Sequence, residues 1–274
     1  MTQEMKFSRE YKSEDTVINV KGTKIGSNYF TVAAGPCAIE SQEQYYETAK
    51  QVKAAGATII RGSVFKPRTS PYSFQGLGRD GLKLIKDLSE DLEVVVETEV
   101  MDTRDVAFTA NHVDILRVGA RNMQNFSLLK ELSKVDKPVM LKRGISATID
   151  EWLFAAEYLM INGNEQVILC ERGIRTFDKT LRNTMDLAVI PFLRKKTHLP
   201  IIVDPSHGTG QRELILPISK AAIALGSHGL LIEVHYRPEK AKCDGHQSLT
   251  PQQFAQLMTE LKPYAKLENK MLGW

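Results

Sequence analysis

Four side chains far apart in the chain are of types that bind transition metals. They are a thiol, an imidazole and two carboxylates, namely Cys37, His207, Glu233 and Asp244. This mixture of soft and hard donors suits a divalent ion such as Mn, Fe, Co or Zn better than Mg or Ca. Two of the four also have ordinary interpretations, Cys37 as a small buried residue and His207 as a turn cap. For His235, a fifth ligand and a donor to a ligand both stay open.

A second group of side chains is cationic. It comprises Arg61, Lys66, Arg68, Arg121, Lys142 and Arg172. Arg recognises carboxylate and phosphate through paired hydrogen bonds, whereas Lys acts as a point charge. These cations exceed what one small anion needs, which predicts two phosphorylated substrates, or one substrate with several acidic groups. Salt bridges to nearby acids at the rim of a site are the ordinary alternative.

Residues 61–79, RGSVFKPRTSPYSFQGLGR, carry part of this cationic group. The segment follows an apolar run and precedes a helical pattern, so it is a connection of almost twenty residues. Connections of that length are uncommon in compact domains and are usually functional. Because the segment is basic and has no acidic residue, it is either a site for an anion or a solvated basic loop.

Eight short apolar runs alternate with segments of helical spacing from residue 30 onward. The predicted strands are residues 30–34, 58–61, 94–97, 115–118, 138–141, 166–170, 201–204 and 230–234. The predicted helices are residues 42–55, 80–90, 102–110, 125–133, 149–162, 181–195, 212–225 and 251–262. Apolar strands that alternate with helices indicate parallel pairing, and eight units predict an α/β fold of the (β/α)8 TIM barrel type. An open doubly wound sheet is the alternative, but no Gly-rich dinucleotide motif follows the first strand.

The predicted organisation is one catalytic barrel over residues 31–274, preceded by a loose N-terminal extension and β-hairpin over residues 1–30. Active residues of such barrels lie at the carboxyl ends of the strands and in the loops that follow. The metal-binding side chains and the cationic side chains named above lie at these strand ends or in the loops after them. Glu97, which ends the third predicted strand, lies there as well. Charges at a barrel mouth are costly unless they are paired or bound to a ligand, so this placement favours an enzyme.

The composition sets limits on the partners. The net charge of +3 is too small to favour nucleic acid or an anionic membrane as the main partner. Three widely spaced cysteines suit a reducing cytoplasm better than a disulfide framework. The N-terminus lacks an apolar signal core and no run of about eighteen apolar residues occurs, so neither secretion nor membrane spanning is expected.

Six segments resemble those of a known family, in the same order along the chain. They are GPCAIES at 35–41, KPRT at 66–69, GARN at 119–122, KRG at 142–144, CERG at 170–173 and DPSH at 204–207. The chain resembles 3-deoxy-D-arabino-heptulosonate 7-phosphate (DAHP) synthases of the type I beta subfamily. The resemblance implies a transferase that condenses phosphoenolpyruvate with erythrose 4-phosphate and water, the first step of the shikimate pathway to the aromatic amino acids.

The resemblance also implies residue roles. The metal ligands would be Cys37, His207, Glu233 and Asp244. Phosphoenolpyruvate would be held by Arg61, Gly119, Ala120, Arg121, Lys142 and Arg172. Erythrose 4-phosphate would be held by Lys66, Pro67, Arg68 and Thr69. The catalytic group would comprise Lys66, Cys37, His207 and Glu97, with Lys66 as a candidate proton donor and Glu97 near the water or phosphate side.

The chain departs from the family pattern at one position, and two other functions compete with the one that the resemblance implies. The family often carries Gln where this chain has Arg117, whose charge would sit inside the barrel or pair with an acid. The related 3-deoxy-octulosonate 8-phosphate synthases carry an Asn-containing segment in place of KPRT, so KPRT separates the two families. Their aldehyde, arabinose 5-phosphate, is the alternative substrate, and a non-catalytic barrel is the alternative class. Relatives are commonly homodimers or homotetramers, and no separate regulatory domain is expected, which predicts no feedback by Phe, Tyr or Trp.

Overall fold

The structure, a computed structural model, describes residues 4–273. An antiparallel hairpin of β1 (Ile18–Val20) and β2 (Thr23–Ile25) comes first. The parallel strands that follow are β3 (Tyr29–Gly35), β4 (Ile59–Arg61), β5 (Val95–Glu99), β6 (Ile115–Val118), β7 (Val139–Lys142), β8 (Val167–Glu171), β9 (Ile201–Val203) and β10 (Gly229–Glu233). β10 pairs with β3, so the sheet closes on itself. A last short strand, β11 (Met271–Leu272), pairs with the start of β3.

Helices surround the barrel. Those within residues 4–273 are α1 (Gln42–Ala54), α2 (Arg79–Leu92), α3 (Val106–Ala110), α4 (Phe126–Leu132), α5 (Ile149–Met160), α6 (Val189–Lys196), α7 (Pro205–Thr209), α8 (Ile215–Ala224) and α9 (Pro251–Leu267). Side-chain caps define several starts: Ser41 accepts from Gln44 N, while Thr148 and Thr250 form capping boxes. The predicted (β/α)8 TIM barrel with an N-terminal hairpin is confirmed.

The hairpin closes the amino end of the barrel. Ile18, Val20 and Ile25 share one buried apolar cluster with inward-facing residues such as Ile59 and Val95, which lie at the starts of their strands. Because apolar side chains fill this end, the polar inward-facing groups are confined to the carboxyl end. The hairpin therefore separates a closed end from an open, charged mouth.

The segment ahead of the hairpin is packed against the barrel, which differs from the loose extension expected from its polar composition. The Glu157 carboxylate in α5 accepts hydrogen bonds from the backbone N of Lys6 and Phe7 at 2.9 and 3.1 Å. The Phe7 ring packs edge-on against Phe154. These contacts come from a helix about 150 residues further along the chain, so no local pattern could predict them. Residues 1–3 of the predicted extension lie outside the described residues.

The main differences from the predicted elements lie at the mouth. β5 continues to Glu99 instead of ending at Glu97. α6 starts at Val189 instead of residue 181, because residues 172–188 form a loop over the mouth. An additional short helix, α7, follows β9. Among residues 4–273, no helix is both long and apolar enough to cross a membrane.

Candidate active site

Four side chains from distant parts of the chain meet at the carboxyl end of the barrel. One potential ligand atom from each of Cys37, His207, Glu233 and Asp244 lies within 4.8 Å of all the others. Cys37 follows β3, His207 lies in α7, Glu233 ends β10, and Asp244 lies in the loop after β10. The sequence-predicted metal set is thus brought together as one cluster. His235 is not in the cluster; its Nδ1 accepts from the backbone N of Arg237 at 2.9 Å.

Neighbouring side chains fix the orientation of the cluster. Asp204 accepts from the backbone N of His207 at 2.9 Å and contacts His207 Nδ1 at 2.8 Å, which leaves Nε2 facing Glu233 Oε1 at 3.0 Å. Arg61 Nη1 donates to the same Glu233 oxygen at 3.0 Å, and Gln247 Nε2 donates to the other at 2.5 Å. Partners of this kind hold metal ligands in a single conformation and tune their basicity.

The charge states of the cluster fit a bound cation. Burial alone would lower the pKa of His207, but Asp204 and Glu233 raise it to about 9. The hydrogen bond that the Cys37 thiol donates to Cys243, together with burial, holds the pKa of Cys37 well above its usual range. Burial opposes the charge on Glu233, but His207 and Arg61 hold the pKa of that carboxyl well below its usual range. A divalent cation would replace these protons, so the thiol, imidazole and carboxylates fit a transition metal.

A polar pocket of about 340 Å³ opens beside the cluster. The sequence-predicted residues that line it are Lys66, Pro67, Arg68, Thr69, Gly119, Ala120, Arg121, Lys142, Arg172, His207 and Asp244. They come from the loops after five different strands and from the end of β7. The pocket therefore joins the cationic group to the metal cluster, as the strand-end placement predicted.

Four sequence-predicted residues lie behind the pocket lining. They are Cys37, Arg61, Glu97 and Glu233. Arg61 and Glu97 are fully buried and contact each other, with Arg61 Nε 3.5 Å from Glu97 Oε1. Arg61 thus contacts Glu233 of the metal cluster, whereas the expectation gave it a direct contact with substrate. The carboxylate that reaches the pocket from β5 is Glu99, two residues beyond Glu97.

The β4–α2 loop, residues 62–78, brings Lys66 to the cluster. The backbone N of Lys66 donates to Gln75 O at 2.9 Å, and the N of Gly78 donates to Val64 O at 2.9 Å, so the loop is pinned across its base. Gly76 has a φ of 98°, and a Cβ there would lie 2.0 Å from Val64 O, so only glycine fits. Lys66 Nζ reaches Cys37 Sγ at 3.0 Å.

The other cations lie at strand ends or in the loops that follow them. Lys142, the last residue of β7, is buried and pairs with Asp204. Arg172 follows β8; its Nη2 donates to the backbone O of His207 at 3.4 Å, and burial lowers its pKa. Arg121 is exposed, and no residue within 4–273 forms a hydrogen bond or ion pair with it. Arg68 Nη1 contacts Cys243 Sγ at 2.7 Å.

Sequence reasoning missed several residues that line the pocket. They are Ser70, Ser73, Glu99, Arg117, Ile145, Arg175, Arg182, Asn183 and Cys243. Arg182 and Asn183 fall within the predicted helix 181–195, so their position in a mouth loop was hidden, and Arg175 lies shortly before that helix. Cys243 directly precedes Asp244, and this neighbourhood was the available signal for it.

A family model identifies the protein family. The model of the DAHP synthetase I family matches residues 12–267, which is most of the chain. The chain belongs to the DAHP synthetase I family. Its resemblance to DAHP synthases, stated above from six segments, is therefore confirmed.

Two curated proteins are similar in sequence to this member of the DAHP synthetase I family. It is 50% identical over 258 residues to phospho-2-dehydro-3-deoxyheptonate aldolase of Thermotoga maritima, which covers 94% of this chain and 76% of that protein. It is 30% identical over 272 residues to 2-dehydro-3-deoxyphosphooctonate aldolase of Syntrophobacter fumaroxidans, which covers 93% of both chains. The chain is thus similar to both kinds of enzyme, and much more similar to the first.

Two solved structures from Thermotoga maritima are similar to this member of the DAHP synthetase I family. One is phospho-2-dehydro-3-deoxyheptonate aldolase (DAHP synthase), with a TM-score of 0.95 and 47% identity over 98% of this chain and 79% of that one. The other is a truncated form of 3-deoxy-D-arabino-heptulosonate 7-phosphate synthase, with a TM-score of 0.90 and 45% identity over 96% of this chain and 97% of that one. The two superpositions agree with the barrel described above.

Proposed function

We propose that the protein is a DAHP synthase, a transferase that condenses phosphoenolpyruvate with erythrose 4-phosphate and water to give DAHP and phosphate. This reaction is the first step of the shikimate pathway to the aromatic amino acids. The observation that carries the proposal is the 50% identity to the Thermotoga heptonate aldolase over 94% of the chain. The pocket supports the proposal, because metal-binding side chains and cationic side chains from several loops meet at one cavity.

The two substrates divide the pocket between them. Arg121, Lys142 and Arg172, with the backbone at Gly119 and Ala120, bind phosphoenolpyruvate. Lys66, Pro67, Arg68 and Thr69 bind erythrose 4-phosphate from the β4–α2 loop. Both sets line the same pocket, which supports a reaction between two bound anions. Arg61 acts through its hydrogen bond to Glu233 and not by lining the pocket.

A divalent metal ion held by Cys37, His207, Glu233 and Asp244 would supply Lewis acidity toward the aldehyde oxygen. We propose Mn, Fe, Co or Zn as its identity, because thiolate and imidazole donors favour these ions. Three of the four ligands are buried. Because the Cys37 thiol and the His207 ring are themselves protonated without the metal, metal binding releases protons and depends steeply on pH.

The residues of the pocket account for the bond changes. C3 of phosphoenolpyruvate forms a bond to the aldehyde carbon, and the aldehyde oxygen takes a proton from Lys66. Positive charge develops at C2, where water adds and gives its proton to a carboxylate; Glu99, which lines the pocket, takes the part expected of Glu97. The C2–O bond then breaks and phosphate leaves toward the cations, which stabilise its charge.

Lys66 and Glu99 have protonation states suited to these parts. Burial lowers the pKa of Lys66, but Cys37 and Glu99 raise it above its usual value, so the ammonium is charged. Burial raises the pKa of Glu99, but Arg117 and Lys66 lower it below its usual value, so the carboxyl is ionised. The pair provides one proton donor and one proton acceptor on the same pocket wall.

Arabinose 5-phosphate is the competing aldehyde, because relatives at 30% identity are 2-dehydro-3-deoxyphosphooctonate aldolases. The test measures phosphate release from phosphoenolpyruvate with each aldehyde at equal concentration. We expect kcat/KM to favour erythrose 4-phosphate by 100-fold or more, since the site must fit the shorter chain. A preference for arabinose 5-phosphate would overturn the proposed substrate, and no turnover with either would favour a non-catalytic barrel.

We further propose that residues 31–274 form the catalytic barrel, preceded by an N-terminal extension and β-hairpin over residues 1–30. We also propose that the protein works in the cytoplasm as a homodimer or homotetramer. Three free cysteines support the reducing compartment. Sedimentation of the purified protein measures the oligomeric state.

A further inference from the structure

Arg117, the residue at which the chain departs from the family pattern, lies inside the barrel on β6. Its side chain is 2% exposed. Nε donates to Glu97 Oε2 at 2.8 Å, Nη1 to Glu99 Oε2 at 3.3 Å, and Nη2 to Ser63 Oγ at 2.6 Å. Glu99 is also its register partner on β5. One guanidinium therefore holds two carboxylates and a hydroxyl from two neighbouring strand ends.

Charges alternate along this part of the barrel. Glu97 lies between Arg61 and Arg117, and Arg117 lies between Glu97 and Glu99. All four side chains are at most 5% exposed. A buried charge is tolerated only with a partner, so the removal of one member leaves another uncompensated. The row runs from Arg61, which contacts the metal cluster, to Glu99, which lines the pocket.

The Glu99 carboxylate is held in a narrow position. A Cβ on residue 119 would lie 2.1 Å from Glu99 Oε1, so this oxygen packs against the bare Cα of Gly119. The other oxygen contacts Arg117. Glu99 and Asp244 are the carboxylates that line the pocket, within the described residues, among several cations. A carboxylate repels anionic substrates. It can therefore take part in the reaction only if it is fixed where a neutral O–H group, such as water, is bound.

We propose that Arg117 is a positioning residue for the condensation: it holds the Glu99 carboxylate ionised and aimed into the pocket, while Glu97 compensates its remaining charge. The assignment rests on the proposed function for the part that Glu99 plays in turnover. Arg117 also borders the pocket, but its three hydrogen bonds to protein groups engage it there. A neutral Gln at 117 could donate a hydrogen bond to Glu99 but could not compensate two carboxylates.

Three variants test the assignment: Arg117→Gln, Arg117→Lys, and the double variant Arg117→Gln with Glu97→Gln. The double variant also removes one of the two carboxylates that Arg117 compensates, which reduces the uncompensated buried charge. Loss of the guanidinium should move the acidic limb of the kcat profile up by about 1 to 2 pH units, since a charge at this distance shifts a carboxyl pKa by that amount. We expect kcat at pH 7 to fall about tenfold in both Gln variants, with KM for either substrate changed less than about twofold. Arg117→Lys keeps a positive charge, so the shift of the acidic limb and the fall in kcat should both be smaller in this variant.

A control and a direct titration separate the possible failures. Arg194→Gln removes an arginine that contacts Asp15 and the Gly226 carbonyl, ahead of β10 at the other end of the barrel, and should leave the profile unchanged. The Glu99 carboxyl itself is titrated by ¹³C NMR of glutamate-labelled protein, assigned by its loss in Glu99→Gln. A higher midpoint in Arg117→Gln than in wild type supports the assignment even if the substrates of the proposed function are wrong. Equal midpoints, or a loss of kcat with an unmoved acidic limb, would overturn it.

Discussion

Gly119 illustrates how one residue supports the chemistry of the pocket. Its φ of −68° is available to any residue, so conformation does not explain the glycine. The explanation is space, because a Cβ would overlap Glu99 Oε1. Sequence reasoning placed Gly119 at the mouth through the GARN segment, but it could not detect the contact with Glu99, because Glu99 lies on another strand. The residue thus makes room for Glu99, in addition to the substrate contact proposed for its backbone.

Gly119→Ala should displace the Glu99 carboxylate and lower kcat/KM by about 100-fold, since small displacements in a site have effects of that size. We expect a stability loss of about 1 to 3 kcal/mol from overpacking. Steady-state kinetics and urea unfolding measure the two effects. Gly22→Ala is the matched control: its φ is 87° and nothing lies within 4 Å of the added Cβ, so only stability should fall, by about 1 kcal/mol. Unchanged kinetics in Gly119→Ala would contradict the role of Glu99.

Arg68 and Arg121 should separate the two substrates. Arg68 extends from the β4–α2 loop and Arg121 from the loop after β6, and both line the pocket. Arg68→Gln should raise KM for erythrose 4-phosphate about tenfold or more, and Arg121→Gln should do the same for phosphoenolpyruvate, because each loses a hydrogen bond to a charged group. Initial rates with one substrate varied and the other saturating give both values. If each variant affected both substrates equally, the division of the pocket would be wrong.

Elements were predicted well where apolar runs are continuous and poorly where charge is buried. The predicted end of β5 at Glu97 is wrong by two residues, because buried Arg117 allows the charged sequence Glu97-Thr98-Glu99 to continue as strand. The start of α6 was placed too early, because residues 181–188 have helical spacing but serve the mouth loop. Both errors fall at the candidate site, where side-chain function competes with local pattern.

The attachment of the N-terminal segment to α5 can be tested with Glu157→Ala. Its carboxylate accepts from two backbone N–H groups, and hydrogen bonds to a charged group contribute about 1.5 to 3 kcal/mol. The variant should therefore lower the free energy of unfolding by about that range and leave kcat unchanged, because the segment packs at the end of the barrel away from the mouth. Urea unfolding and proteolysis near residue 7 measure the change. Glu131→Ala, which removes the partly exposed partner of the exposed Lys134, is the control and should cost less than about 0.5 kcal/mol.

The whole molecule divides into a closed amino end and a charged carboxyl end, and the sequence predicted this division in part. Counting eight alternations gave the barrel, and strand ends gave the metal cluster and most of the cations. The distances, and the choice of Glu99 over Glu97 at the pocket, depend on strand register and on partners from neighbouring strands. Those quantities have no local signal in the chain, so the structure was needed for them.

A buried histidine at the amino end should make stability depend on pH. Burial lowers the pKa of His228 to about 3, with Lys270, Arg194 and Arg9 adding to the effect and Asp15 opposing it. His228 Nδ1 accepts from the backbone N of Ile201 at 2.9 Å, so the neutral ring is required. Because the folded pKa lies below the unfolded one, stability is complete above about pH 6.5 and falls as pH decreases from there toward 3.

We expect this group to remove about 2 kcal/mol from the free energy of unfolding between pH 6.5 and pH 5. His228→Asn keeps an acceptor for Ile201 N and should flatten that part of the curve. The difference between wild type and variant isolates His228 from other titrating groups, such as His207. Urea unfolding at both pH values gives the slope, and parallel curves for the two proteins would contradict the assignment.

We propose that one barrel mouth combines a metal cluster with a pocket for two phosphorylated substrates. The most direct measurement is phosphate release from phosphoenolpyruvate by metal-stripped protein, with and without erythrose 4-phosphate, while Mn(II) is added. We predict almost no release without metal, recovery that saturates near one ion per subunit, and no release when the aldehyde is omitted. Full activity in the metal-stripped protein, or phosphate release without the aldehyde, would contradict the claim.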